Sequence, residues 1–380
     1  MEFRGGNICS KPSSIAFVAQ ALALIAMLVT LAQPVFAQPP VDEATISARQ
    51  HFFGIENVDA RTGAIRGDRV ILSWTGVSGF AAAYNGHVVL MDSYIARDGG
   101  VLVGGKPLNI WPSMNYVGSS PQELAALRPE LALIGHTHFD HNGDLPTVIR
   151  ANPGLVVAGT AEHCADIKAE VPDVPFVCVA LFAAGAPIGT LTEIPVQFVP
   201  PGLQITAIKH PHSSGSPNPK TDPPFGWPTA NCTARTDYPV PPGEPEAWPA
   251  PAIGPASGAI SIMYQFRVGG KLNITWQDTA GYIQGTAVVA AMQSLPPTDI
   301  RLSSIAVSGR SVFDFDNALL KPKLVIPLHH DACGYLLRKD FIDHFESLPA
   351  GGRPQLWFFS DPSDYLRPLI FDPSSKEWNK

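Results

Sequence analysis

Four side chains that commonly bind divalent metals lie within six consecutive positions, in the run HTHFDH at 136–141. Histidine nitrogens and carboxylate oxygens are typical ligands of zinc and similar ions. The run follows the apolar segment Leu131–Ile134, which predicts a short buried strand. A strand end holds the backbone stiffly, so the loop can turn its side chains into one cavity. We therefore expect His136 and His138 to bind one ion, and Asp140 and His141 a second; the alternative is a polar loop that happens to be rich in histidine.

The order His-x-His-x-Asp-His resembles the signature of the metallo-β-lactamase superfamily, including its position after a short apolar strand. The resemblance extends over most of residues 68–330. It implies an α/β fold, an αββα sandwich in which two sheets pack together and metal ions bind at one edge of both.

The resemblance also implies further ligands in a fixed order along the chain. The third histidine of the first metal follows a strand in mid-chain, where we select His212 and keep His210 as the alternative. A carboxylate that bridges both ions matches Asp278 in the run TWQDTAG, although glycine is more usual than glutamine before that aspartate. The last ligand matches His329 in the run VIPLHH, with His330 as its alternative.

The resemblance implies a hydrolase that uses two divalent metal ions, zinc being the first choice, and a metal-activated water. Asp140 is then the catalytic residue, because it can orient the attacking water or accept its proton. Asp278 would set the spacing of the ions, and Asp92 would support the ligands from behind. Candidate substrates are small or lipid-like esters, lactones, amides and phosphodiesters, because a fold alone does not select among them. A β-lactamase and a non-catalytic metal-binding protein are the alternatives.

Strands and helices predicted from the sequence would hold these residues. The dipeptide Asn85-Gly86 favours a two-residue hairpin turn between two apolar strands. Ser120, Pro121 and Glu123 together predict the start of a helix. The predicted strands are Val70–Trp74, Phe80–Tyr84, Val88–Met91, Leu131–Ile134, Leu155–Ala158, Leu203–Ile208, Ala259–Val268, Lys271–Trp276, Leu302–Val307 and Leu324–Leu328. The predicted helices are Pro121–Leu127, Leu145–Ala151, Ala161–Ala169, Gly285–Ser294 and Arg338–Glu346.

The remaining regions predict how the chain is organised. Residues 1–37 combine basic residues, an apolar run and a small-residue cleavage pattern, as a secretory signal peptide does. Residues 38–66 are expected to form an extended or loosely helical lead-in, and residues 67–380 the metallo-β-lactamase-like domain. The proline-rich insert 213–257 interrupts this domain, and its aromatic residues suggest a lid over the metal cleft.

Composition and charge limit the partners and the compartment. The formal net charge is −7 and the chain has no run of lysine or arginine, so a nucleic-acid partner is not expected. We expect a small-molecule substrate, no stable membrane anchor, and a periplasmic or secreted location. An oxidising compartment would allow disulfides, of which Cys164–Cys178 is preferred over free thiols or other pairings. Four histidines outside the motifs are expected to lie on the surface or to be structural: His51, His87, His163 and His344.

Overall fold

The computed structural model describes residues 41–95, 102–103, 106–107, 118–212, 260–305, 309–330, 335–359 and 362–379. The predicted signal peptide, the insert 213–257, Cys232 and Cys333 lie outside these residues, so the expectations about them stay predictions. Within the described ranges, no helix has the length and apolar character that crossing a membrane requires.

Most strands belong to one of two large sheets. The strands are β1 (Val70–Gly76), β2 (Gly79–Tyr84), β3 (His87–Met91), β4 (Leu102–Val103), β5 (Lys106–Pro107), β6 (Leu131–Leu133), β7 (Val156–Thr160), β8 (Val177–Phe182), β9 (Leu191–Glu193), β10 (Leu203–Pro211), β11 (Ile260–Val268), β12 (Leu272–Gln277), β13 (Ile300–Ser304), β14 (Leu324–Leu328), β15 (Gln355–Leu356), β16 (Pro368–Phe371) and β17 (Trp378–Asn379). The first sheet has the order β17-β16-β1-β2-β3-β6-β7-β8, and the second has the order β15-β14-β13-β12-β11-β10-β9. Strands β4 and β5 pair separately.

Each large sheet is half antiparallel and half parallel. In the first sheet, β16, β1, β2 and β3 pair antiparallel, whereas β3, β6, β7 and β8 pair parallel. In the second sheet, β9 to β12 pair antiparallel and β12 to β15 pair parallel. Parallel neighbours need long crossovers, and these carry most of the helices. The helices are α1 (Glu43–Phe53), α2 (Pro121–Ala126), α3 (Phe139–Asn142), α4 (Leu145–Ala151), α5 (Ala161–Glu170), α6 (Ala287–Gln293), α7 (Arg310–Leu320) and α8 (Tyr335–Ser347).

The core lies between the sheets and under the helices. Tyr84 from the first sheet stacks on Phe266 from the second, with ring centroids 5.5 Å apart. Tyr264 of the second sheet donates its hydroxyl hydrogen to the carbonyl of Ile134, at the end of β6. Contacts of this kind fix the sheets against each other, and they hold the strand end from which the histidine motif begins.

The candidate ligands all follow strand ends at the same edge of the sandwich. His136 follows β6, and Asp92 follows β3, which runs parallel to β6. In the second sheet, β12 and β14 run in one direction through β13, and β10 shares that direction through β11. His212, Asp278 and His329 follow these three strands. Topology therefore gathers residues that are far apart in sequence.

Most predicted elements are present, and the exceptions have physical reasons. The Asn85-Gly86 turn has both residues at positive φ, 50° and 83°, as a two-residue hairpin requires. The segment expected as a loose lead-in contains a regular helix, α1, because Asp42 caps it and Phe52 and Phe53 are fully buried in the core. The elements that were not predicted are α3, α7 and the outer strands β8, β9, β15, β16 and β17.

Candidate metal centre

A first group of histidines forms around the end of β6. His136 Nε2 and His138 Nδ1 are 3.0 Å apart, so two ring nitrogens are directed at one point. The ring centroid of His212 lies 4.8 Å from each of these rings. The candidate ligand atoms of the three residues all lie within 4.8 Å of one another. This spacing matches three nitrogen ligands around one divalent ion.

A second group lies beside the first and contains Asp140, His141 and His329. Asp140 Oδ2 is 3.4 Å from His329 Nε2 and 3.8 Å from His141 Nε2. The ring centroids of His136 and His141, one from each group, are 3.8 Å apart. Two sites, one of three nitrogens and one of two nitrogens and a carboxylate, therefore share one cavity.

Asp278 lies deep in this cavity, next to both groups. Its Oδ2 is 2.5 Å from His136 Nδ1 and 3.7 Å from His141 Nδ1. Its ligand atom groups with those of His136 and His141 within 4.8 Å. Asp278 thus contacts the first histidine of the motif and approaches the last, and its role as a bridging ligand stays a prediction.

Asp92 contacts His141 of the second group and both ends of the histidine motif, and its role in supporting metal ligands stays a prediction. Its Oδ2 is 2.7 Å from His141 Nδ1, and its Oδ1 accepts hydrogen bonds from the backbone N–H of Gly135 and the side chain of Asn142. A carboxylate that accepts the Nδ1 hydrogen leaves the Nε2 lone pair of His141 for a metal. Asn142 also donates to the carbonyl of His136, which fixes the motif at both ends.

The two alternative histidines have other contacts. His210 is buried, with Nδ1 2.8 Å from the carbonyl of Pro211 and Nε2 3.4 Å from Gln277 Nε2. His330 Nε2 lies 2.5 Å from the carbonyl of Phe359, and its ring stacks on Trp74. Among the described residues, neither histidine belongs to a candidate metal group. The geometry therefore favours His212 and His329 as the residues that face the cavity.

Burial lowers the pKa of the three histidines of the 136–141 motif. Burial lowers the pKa of His136 and His141 well below the ordinary value, and for His136 the neighbouring histidines add to the effect. Burial, reinforced by His212, lowers the pKa of His138 to about 4. Neutral imidazole is the form that binds metals, so these rings are ready to bind near neutral pH.

The three carboxylates differ in their charge. Burial raises the pKa of Asp92 and Asp278 well above the usual range, and for Asp92 the charge of Asp278 adds to it. For Asp140 burial acts in the same direction, but His141 and His329 outweigh it and hold its pKa below the usual range. The neighbouring histidines therefore favour the ionised form of Asp140, whereas burial disfavours the ionised forms of Asp92 and Asp278.

The donor set fits divalent cations. Asp278 Oδ1 and His329 Nδ1 are buried and have no hydrogen-bond partner among the described residues. Buried polar atoms without partners are rare and call for an explanation such as a bound ion. A cation next to Asp278 would use its free oxygen and would compensate the charge that burial disfavours.

Other polar residues have structural contacts. Thr137, within the motif, donates to Asp166 of α5 at 3.1 Å, and no sequence pattern predicted this contact. Three of the four histidines outside the motifs pair with carboxylates. His163 instead bonds the carbonyl of Ile260 and caps α5 with Thr160. The three pairs are His51–Glu123, His87–Glu130 and His344–Asp314.

Comparisons with known proteins find metal-dependent hydrolases that are similar to the chain. No family model matches it. Over 91 residues it is 34% identical to a UPF0173 metal-dependent hydrolase of Pyrobaculum neutrophilum, a match that covers 24% of this chain. The chain spans only 32% of the length of that relative.

Two solved structures that cover most of the chain are similar at low identity. Igni18, a metallo hydrolase from Ignicoccus hospitalis, is 16% identical with a TM-score of 0.49, over 80% of this chain and 98% of its own. A Zn-dependent hydrolase of the metallo-β-lactamase superfamily from Thermotoga maritima is 12% identical with a TM-score of 0.34, over 77% of this chain and 98% of its own. The fold itself is defined by the described sheets: two mixed sheets, helices outside them, and the histidine motif at their shared edge. The prediction of an α/β fold, with two mixed sheets packed together and helices beside them, is confirmed.

Proposed function

We propose that the protein is an exported, metal-dependent hydrolase with two divalent ions, acting on a small or lipid-like ester, lactone, amide or phosphodiester. The observation that carries the proposal is the pairing of two ligand groups in one cavity. His136, His138 and His212 would hold one ion. Asp140, His141 and His329 would hold the other, and Asp278 would contact both.

Bound divalent ions, zinc being the first choice, would lower the pKa of a coordinated water and polarise the oxygen of the bond to be broken. The protein supplies the groups that hold and orient the reactants. Because His141 and His329 hold the pKa of Asp140 below the usual range, its carboxylate could accept a hydrogen bond from the attacking water and take its proton. Asp92 keeps the ring of His141 in one orientation through the 2.7 Å contact.

Export is supported by two independent features. The first 37 residues have the pattern of a signal peptide. Cys164 and Cys178 form a disulfide that joins α5 to β8, and disulfides persist mainly in oxidising compartments. The excess of acidic side chains makes a large polyanion an unfavourable substrate. A small-molecule substrate in the periplasm or outside the cell is consistent with all three features.

The test combines metal analysis with a substrate panel. Protein purified without chelators is analysed for zinc, manganese and iron, and is assayed on nitrophenyl esters, a nitrophenyl phosphodiester, lactones, amides and a chromogenic β-lactam. We expect close to two ions per chain and turnover of at least one ester, lactone, amide or phosphodiester. Efficient turnover of the β-lactam alone would favour the β-lactamase alternative. Bound metal without any turnover would favour a non-catalytic metal-binding protein.

A matched pair of variants links the metal to the reaction. His138→Ala removes a ligand of the first group and should reduce the metal content and lower hydrolysis by several orders of magnitude. His51→Ala is the control, because His51 is half exposed and contacts Glu123 rather than the cavity. Full activity of His138→Ala after its metal has been removed would refute the mechanism.

A further inference from the structure

The turn between β1 and β2, two strands of the first sheet, contacts the second sheet beside the candidate metal centre. Val77 and Ser78 form this turn, and both are buried, with 1% and 0% of their surface exposed. A hairpin turn of two residues usually lies in solvent. Its burial indicates that the turn packs against other parts of the protein.

Three hydrogen bonds connect this turn to two strand ends of the second sheet. The carbonyl of Val77 accepts the backbone N–H of His329 at 2.9 Å. The hydroxyl of Ser78 donates to the carbonyl of Asp278 at 2.7 Å. The carbonyl of Ser78 accepts the indole N–H of Trp276, two residues before Asp278, at 2.9 Å. The turn therefore binds the backbone of two candidate ligands that are about fifty residues apart.

The backbone of the turn is held in an unfavourable conformation. Val77 has a φ of 50°, in the left-handed region that a β-branched residue rarely adopts. His329, which donates to it, has a φ of 62°. The indole N–H of Trp74 donates to the same Val77 carbonyl at 3.2 Å. Strained residues of this kind persist where the surrounding contacts fix them, and they concentrate at functional sites.

We infer that Ser78 is a positioning residue of the metal centre, and that the β1–β2 turn sets where the second sheet presents Asp278 and His329. The turn belongs to the first sheet, which also carries the histidine motif. It thereby fixes the two halves of the centre against each other through its hydrogen bonds to the backbone of Asp278 and His329. This inference rests on the proposed metal binding, but not on hydrolysis.

The experiment compares two buried serines that make the same kind of bond. Ser78→Ala removes the hydroxyl that holds the Asp278 carbonyl. Ser73→Ala, on the same hairpin, removes a hydroxyl that donates to the carbonyl of Phe52 in α1, far along the chain from any candidate ligand. Zinc affinity is measured by competition with a chromogenic chelator, and the thermal unfolding of each metal-free variant is followed by circular dichroism.

We expect both alanine variants to lower the melting temperature of the metal-free protein, because each loses one buried hydrogen bond. Only Ser78→Ala should weaken zinc binding, by about tenfold or more, as is typical for groups that orient ligands. Ser78→Thr keeps the hydroxyl and should keep the zinc affinity, even if its added methyl group lowers the stability. This variant provides the test if Ser78→Ala does not fold.

Three results would overturn the inference. They are a wild-type zinc affinity in Ser78→Ala, an equal loss of zinc affinity in both alanine variants, and a loss of zinc affinity in Ser78→Thr. A wild-type protein that binds zinc but hydrolyses nothing would refute the proposed hydrolase and leave this comparison valid. A wild-type protein that binds no zinc would refute both.

Discussion

Gly135 lies between β6 and the histidine motif. Because it has no side chain, the carboxylate of Asp278 can lie next to its backbone. A Cβ atom at this position would lie 2.1 Å from Asp278 Oδ2 and 2.2 Å from its Cγ. The backbone of Gly135 cannot move aside easily, because its N–H donates to Asp92 and its carbonyl accepts from Ile262. The glycine is therefore required by close packing against a candidate ligand.

We predict that Gly135→Ala displaces the Asp278 carboxylate and weakens metal binding by about tenfold or more, the range seen when outer contacts of a metal site are lost. Gly154→Ala is the matched control, because a Cβ there meets nothing within 4 Å. Elemental analysis and chelator competition on both variants give the measurement. If Gly135→Ala binds metal as the wild type does, Asp278 does not need its observed position.

For single residues, the sequence predicts ligands that are neighbours in the chain and does not predict contacts between residues that are far apart in it. The residues of the 136–141 motif are recognisable because they are neighbours in the chain. The placement of His212, Asp278 and His329 came from the resemblance. No pattern in the sequence pointed to Ser78, because its partner carbonyl is 200 residues away.

Helix α7 packs on the outer face of the second sheet through a buried polar network. Arg301 of β13 and Asp316 of α7 are both fully buried and 3.0 Å apart. Arg301 also donates to the Gln277 side chain at 3.0 Å and to Asn317 at 2.7 Å. Gln277 in turn donates to Asp316 and precedes Asp278. The network thus joins a helix, two strands and the backbone of a candidate ligand.

We predict that Arg301→Met lowers the free energy of unfolding by about 3–5 kcal/mol, because it leaves Asp316 buried without its cation. Arg267→Met is the control on the same sheet: Arg267 is exposed, and its loss should change stability by about 0.5 kcal/mol or less. Urea unfolding measures both. The double variant Arg301→Met, Asp316→Leu should recover part of the loss, and no recovery would argue against the ion pair as its cause.

This network also explains why α7 was not predicted. The buried face of the helix consists of Val312, Phe313, Asp316 and Leu320. An aspartate in the middle of that row breaks the apolar spacing from which an amphipathic helix is recognised. Its burial depends on Arg301, which lies in another element. Helix α4, by contrast, matched its predicted bounds, because its apolar spacing is uninterrupted.

The two-sheet architecture could be predicted because the sequence patterns of its strands, turns and helices occur many times along the chain. Several hairpins and strand–loop–helix units each carry their own apolar pattern and turn residues, and together they indicate two sheets covered by helices. The outer strands were missed for the opposite reason. Strands β9, β15 and β17 have two or three residues, and β8 has exposed residues such as Val177, so none has a clear alternation.

The metal centre is shared between the two sheets. The first sheet contributes the 136–141 motif and Asp92, and the second contributes His212, Asp278 and His329. Without a cation, burial lowers the pKa of His136 and raises the pKa of Asp92, and the proximity of Asp278 adds to the rise at Asp92, so the site disfavours charge on these side chains. A cation bound between the sheets would form ligand bonds across the interface, so metal binding and the stability of the whole sandwich are linked.

We therefore predict that metal removal lowers the stability of the whole molecule rather than of a local loop. A ligand at a hundred times its dissociation constant stabilises the folded state by about 2.7 kcal/mol, which for a chain of this size raises the melting temperature by about 4 °C. Calorimetry follows the protein with bound zinc, after treatment with a chelator, and after zinc is restored. We expect a single unfolding transition whose melting temperature falls by at least this amount with the chelator and recovers with zinc. His138→Ala should respond much less than His51→Ala. A melting temperature that is indifferent to the chelator, in protein shown to have lost its zinc, would mean that the ions do not connect the sheets.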